Sequence, residues 1–208
     1  MALLLAKGLS ALLPVVAHLL TLLAMDGYKL VRMRMVLLSV GFGVLAAVAS
    51  QRVNVAILRH TSLDLSIYSK NFSPLVEEFF KSAWLFYLIA TRRVGFLVDC
   101  AILGFAVGVG FALTENILFL SLRPEAGLVV WVIRGFGTAV MHGATVALMA
   151  VAAQSICEQK PRIRPWHFLP GFLLAVAVHS AFNRFFISPA MSAVGLLVGL
   201  PVLMYLVF

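Results

Sequence analysis

The sequence predicts an all-α protein, a polytopic transmembrane helical bundle of about seven spans. Of its 208 residues, 62% are hydrophobic and only 12% are charged, and the mean hydropathy is +1.06. Several apolar runs exceed the ~20 residues that a helix needs to cross a bilayer. The runs are continuous and do not alternate with a period of two, which excludes an outer-membrane barrel.

Each span has its own signal. The first run, ALLLAKGLSALLPVVAHLLTLLAM over 2–25, is too long for the apolar core of a signal peptide and has no clear cleavage site, so it reads as a spanning helix. Further spans are expected over 35–58, 72–91, 94–122, 127–157, 166–187 and 189–208. The connections DGYKLVRMR, TSLDLSIYSKN, TRR, RPEAG and EQKPRIRP carry the polar, glycine and proline punctuation of turns. No span repeats another, so residues 1–208 read as one integral-membrane domain, with a polar core over about 72–187. Gly104 with Gly108, and Gly195 with Gly199, are small-xxx-small pairs expected to let helices of the bundle pack closely.

The formal charge of +8 sits in short connections between apolar runs. That pattern fits topology control and anionic lipid head groups, not nucleic acid. Lys29, Arg32, Arg34, Arg92, Arg93, Lys160, Arg162 and Arg164 fall on one side, against Arg52, Arg59, Lys70 and Arg123 on the other. The richer side is expected in the cytoplasm, with the N-terminus outside and the C-terminus inside. Cys100 and Cys157 have no metal-type spacing and fall near cytoplasmic helix ends, where thiols stay reduced.

The spans hold ionisable groups where these are costly. Glu77, Glu78 and Lys81 lie in PLVEEFFKSAW, Glu115 and Asn116 in GFALTENILF, Arg134 and His142 in VIRGFGTAVMHGATVAL, and His179, Asn183 and Arg184 in AVHSAFNRFF. A charge at the bilayer centre costs ~2.5–3.5 kcal/mol on the insertion scale, so these groups should face inward and find partners. The assigned spans bring Glu77, Glu78, Glu115, Arg134, His179 and Asn183 to one slab in the outer half of the membrane. His142 fits less well, being ~12 Å beyond Arg134 on a straight helix, unless Gly135 and Gly137 bend the span. Lys81 is spaced to pair with either glutamate. His179 and Asn183, at i and i+4, project from one face. Taken singly, a Glu–Lys pair is often mutual neutralisation and a membrane histidine an interhelical hydrogen bonder. Thr114, Thr138 and Thr145 are expected on backbone carbonyls. The convergence of the set on four helices points to a functional site.

Carboxylates and imidazoles without a candidate serine, cysteine or aspartate nucleophile point to an activated water. In a metal-free version a Glu77 or Glu78 carboxylate takes the water proton, and His179 and Asn183 hold the oxyanion. In a metal version His142, His179, Glu77 or Glu78, and Glu115 form a Zn²⁺ shell with an open position. The depth of His142 favours the metal-free version. A proton- or cation-coupled transporter or channel is the alternative class, but it would string its polar groups across the membrane and show repeated halves.

The ordered motifs EExxK (Glu77, Glu78, Lys81), FxxxEN (Phe111, Glu115, Asn116), Arg134 with His142, and HxxxN (His179, Asn183) resemble the PrsW intramembrane proteases, relatives of the CAAX prenyl protease and bacteriocin-processing group. The resemblance covers residues 77 to 183. It implies an endopeptidase of the bacterial cell membrane that cuts membrane-anchored protein substrates at an extracytoplasmic site. It implies catalytic roles for Glu77, Glu78 and His142 or His179, with Glu115, Asn183 and Arg134 supporting. Members are described both as glutamic-type and as metalloproteases, and some relatives serve as non-catalytic scaffolds.

Overall fold

A computed structural model describes residues 2–27 and 31–184. Among them every regular element is helical. The chain begins with α1 (Ala2–Met25) and α2 (Met33–His60), followed by the short α3 (Leu65–Asn71) and then α4 (Ser73–Ala90) and α5 (Leu97–Leu122). It continues through α6 (Leu128–Ile133), a π-helical turn (Arg134–Ala139), α7 (Val140–Cys157), a 3₁₀ turn (Pro165–Phe168) and α8 (Leu169–Arg184). Among the described residues, five helical stretches are long and apolar enough to cross a membrane: α1, α2, α5, α6 through α7, and the 3₁₀ turn with α8. Helix α4 has 18 residues and contains Glu77, Glu78 and Lys81. The expected seventh span, 189–208, and the Gly195–Gly199 pair lie outside the described residues.

Two features depart from the expected connections and spans. TSLDLSIYSKN is not wholly a loop: Asp64 accepts hydrogen bonds from the Ser66 and Ile67 amides and starts α3. The fifth span is one continuous path, but its backbone widens into a π-helical turn at Arg134–Ala139. A turn with i→i+5 bonding accommodates an extra residue.

Helix α5 forms the centre, buried along most of its length between α1, α2 and α7. Close approach needs glycine at two faces of it. A Cβ on Gly108 would collide with His142 O and Gly143 of α7, and one on Gly110 would collide with Val40 O of α2. Neither site tolerates a side chain without separating the helices. The first contact places His142 against α5 about two turns before Glu115.

The connections sort into two ends. Arg92 Nη2 donates to Lys160 O at 2.8 Å, tying 91–93 to 158–164 at one end. Lys7 Nζ donates to Pro124 O at 2.7 Å, tying the start of α1 to 123–127 at the other. At the first end α4 closes with the Arg93 amide on Leu88 O and the Arg92 amide on Ile89 O. Arg92 there takes φ 53°, the left-handed conformation that such a helix end requires.

Candidate active site

Helices α4, α5, α7 and α8, with the π-helical turn before α7, bring seven of the expected residues into one connected network. Glu78, fully buried on α4, is its hub. Its Oε1 accepts from Lys81 Nζ at 2.6 Å, His179 Nδ1 at 2.7 Å and Thr145 Oγ1 at 3.1 Å. Glu115 is a second hub on α5. Its Oε2 lies 2.9 Å from His142 Nε2 and 3.3 Å from Arg134 Nη2. Asn116 backs this pair: its Oδ1 accepts from Arg134 Nε at 2.9 Å while its amide donates to Ala11 O at 2.8 Å. Arg134 also lies over the Phe119 ring at 4.2 Å.

The tautomers follow from the partners. A carboxylate only accepts, so a neutral His179 carries its proton on Nδ1 toward Glu78, leaving a lone pair on Nε2. Lys81 Nζ lies 3.0 Å from His142 Nδ1 and, as an ammonium, can only donate. His142 therefore carries its proton on Nε2, toward Glu115. Each imidazole is held by a different glutamate, and their rings meet edge to face at 5.0 Å.

Glu77 has a different place. Its Oε1 accepts from Ser73 Oγ at 2.6 Å. Its Oε2 is buried without a hydrogen bond, 3.8 Å from His179 Nε2. One ligand atom each from Glu77, His142 and His179 lie within 4.8 Å of one another. Two imidazole nitrogens and a carboxylate oxygen are a donor set that suits Zn²⁺ with a position left for water. Carboxylates behind both imidazoles are the usual outer partners of metal-bound histidines. Charge points the same way. With all three carboxylates (Glu77, Glu78, Glu115) ionised against two cations (Lys81, Arg134), one negative charge is left for a bound cation to offset. The residues fit a divalent metal.

A cavity of about 180 Å³ reaches this centre between α2 and α5, with Glu77, Thr114 and Glu115 inside and Gln51 and Arg52 at its exposed lip.

His142 joins the centre although it follows Arg134 by eight residues, because the span distorts around Gly135 and Gly137. Eight residues along a regular helix point Arg134 and His142 about 80° apart, but absorbing one residue in the π-helical turn leaves only about 20°. Both then reach Glu115 Oε2. Asn183 does not join the centre. Its amide donates to Ser69 O on α3 at 3.0 Å. The expected metal shell also changes, because Glu78 and Glu115 hold the imidazoles from behind while Glu77 supplies the oxygen that lies within 4.8 Å of a ligand nitrogen on each. Thr114 does bond a backbone carbonyl, Gly110 O at 2.9 Å. Thr145, expected to do only that, reaches Glu78 as well as His142 O. Ser73 was invisible as a partner of Glu77 in the bare sequence, although its i,i+4 spacing was the available signal.

No curated protein and no solved structure matches the chain. The model of one family, described as PrsW family intramembrane metalloprotease, matches residues 29–208. That match includes every helix that contributes to the network, and the chain belongs to the PrsW family of intramembrane proteases.

Proposed function

We propose that this protein is an endopeptidase that hydrolyses membrane-anchored protein substrates with a water activated between Glu77, His142 and His179. The observation that carries the reading is the meeting of these three buried residues within 4.8 Å, each imidazole backed by its own glutamate. The seven ionisable and amide groups join one cluster, whereas a transport pathway would spread them along the bundle.

Glu77, His142 and His179 would hold a divalent metal such as zinc, which when bound lowers the pKa of its water to about 7 and polarises the scissile carbonyl. Glu78 fixes His179 through Nδ1–H, and Lys81 neutralises Glu78. Glu115 fixes His142 through Nε2–H and is neutralised by Arg134. The Glu115 side chain is 35% exposed and shares the cavity with Glu77, so it receives the water proton and returns it to the leaving amine. The substrate enters by that cavity, past Arg52.

One observation favours a metal-free variant: Lys81 Nζ occupies His142 Nδ1 at 3.0 Å. In that variant Glu77 Oε2 takes the water proton. His179 and Asn183 are not its oxyanion donors, because neutral His179 offers a lone pair at Nε2 and the Asn183 amide is committed to Ser69. Lys81 is the cation closest to hand.

The test is metal content and cleavage of a single-span reporter in liposomes, measured on purified protein before and after a strong chelator. Stoichiometric zinc that disappears in His142→Ala together with turnover supports the metal reading. Full turnover by metal-free protein selects the Glu77 variant. Wild-type turnover in Glu77→Gln overturns both.

A further inference from the structure

A second hydrogen-bonded chain runs into Glu77 from outside the network, and nothing in the reaction as derived above uses it. The Tyr68 hydroxyl on α3 donates to Asn54 Oδ1 on α2 at 2.8 Å. Asn54 Nδ2 donates to Ser73 Oγ at the start of α4 at 2.9 Å, and Ser73 donates to Glu77 Oε1 at 2.6 Å. All of these are buried, with Tyr68 only 2% exposed.

The direction of the chain is forced. A carboxylate takes the Ser73 proton, so Ser73 Oγ must accept from Asn54, which it can do only from the amide nitrogen. Asn54 Oδ1 is then left for the phenol. Flipping the amide would set two acceptors against one serine proton. Burial, and then the Glu77 carboxylate, push the Tyr68 phenol above its usual range, keeping it a donor. An amide in the middle cannot pass a proton along, so the chain orients and does not conduct.

What it orients is specific. The terminal torsion of a glutamate is broad and roughly two-fold, so the backbone alone does not decide which oxygen faces which neighbour. Ser73 holds Oε1, which leaves the unpartnered Oε2 toward His179 Nε2. Helix α3, which supplies Tyr68, is itself fastened to α8 by the Asn183 amide on Ser69 O. Asn183 follows His179 by one helical turn. The same two helices that present Glu77 and His179 are thus tied together through α3.

We propose that Ser73, Asn54 and Tyr68 are positioning residues for Glu77, and that α3 is the strut that sets the Glu77–His179 geometry. The proposal rests on the reading that Glu77 belongs to the reacting centre. Removing an outer-shell partner of a metal ligand typically costs about 10- to 100-fold in metal affinity or activity. Ser73→Ala should therefore lower kcat by about that factor with KM unchanged. Tyr68→Phe, which deletes one oxygen and preserves packing, should lower kcat in the same direction by a smaller factor. Ser73→Thr, which keeps the hydroxyl, should recover most of the loss. The Tyr68→Phe/Ser73→Ala double variant should be no slower than Ser73→Ala alone, because members of one chain are not additive.

The experiment measures kcat and KM on the liposome reporter, with thermal unfolding and zinc affinity by chelator competition for each variant. Wild-type kcat and zinc affinity in both Ser73→Ala and Tyr68→Phe, while Glu77→Gln is inactive, would overturn this inference and leave the proposed function standing. Additive losses that track a falling unfolding temperature would also overturn it, as a merely structural role. Wild-type turnover in Glu77→Gln would instead remove the reading beneath it.

Discussion

Consecutive positions on a helix point about 100° apart, and for Glu77 and Glu78 that angle separates two kinds of chemistry. Glu78 meets Lys81, His179 and Thr145 in the dry interior, whereas Glu77 borders the cavity. Their variants should differ accordingly. Glu77→Gln should fold with near wild-type thermal stability and lose turnover. Glu78→Ala strands the fully buried Lys81, and breaking a buried ion pair costs about 3–5 kcal/mol, so it should lose both. Thermal unfolding in detergent beside the cleavage assay separates the two outcomes. Sequence spacing limited Lys81 to these two glutamates but could not choose between them, since i,i+3 and i,i+4 are both within reach. The choice was made by His179 and Thr145, which come from helices far along the chain. Asn183 illustrates the opposite error. Its spacing from His179 suggested a shared target, yet a separate strand of contacts claims it.

At the scale of elements, the π-helical turn decides whether Arg134 and His142 cooperate. Inserting one further residue between Arg134 and Ala139 adds more than the wide turn absorbs and should rotate His142 away from Glu115 by about 100°. Turnover should fall to background while the protein still extracts as a folded species, read by circular dichroism and size-exclusion profile. Retained turnover would show that the wide turn is incidental. Gly108→Leu should act by a different route, forcing α5 away from His142 O and Gly143. Long apolar helices were legible because composition and length suffice to mark them. The π-helical turn was not, since two glycines permit a distortion without specifying its hydrogen-bond pattern. Helix α3 was missed because seven residues are too few to hold a helix alone, and its anchors, Asn54 and Asn183, are remote in sequence.

Across the whole molecule, the connections gather at two ends in the alternation that basic-residue counting predicts. The Arg92–Lys160 and Lys7–Pro124 bonds bring together loops assigned to the same side. A cysteine at position 62, beside Asp64, should therefore react with an impermeant thiol reagent added outside intact cells, and one at position 161 should not. The reverse pattern would invert the proposed orientation while leaving the bundle unchanged.

The burial of Lys81 between Glu78 and His142 also bears on how the chain is made. Leaving the ribosome, α4 carries three charges and none of the interhelical partners that later neutralise them. At ~2.5–3.5 kcal/mol per central charge, it is the helix least able to partition into lipid by itself. His179 and Thr145 are synthesised afterwards, so the translocon must retain α4, or let it linger at the interface, until α7 and α8 emerge. A chain stopped at residue 95 and followed by a glycosylation acceptor should be modified on the outer side, with α4 not inserted. Extending the chain through Arg184 before the same stop should anchor α4 across the membrane and carry the 91–95 connection to the opposite side. The polar centre proposed for the chemistry would then also serve as the signal that biogenesis is complete.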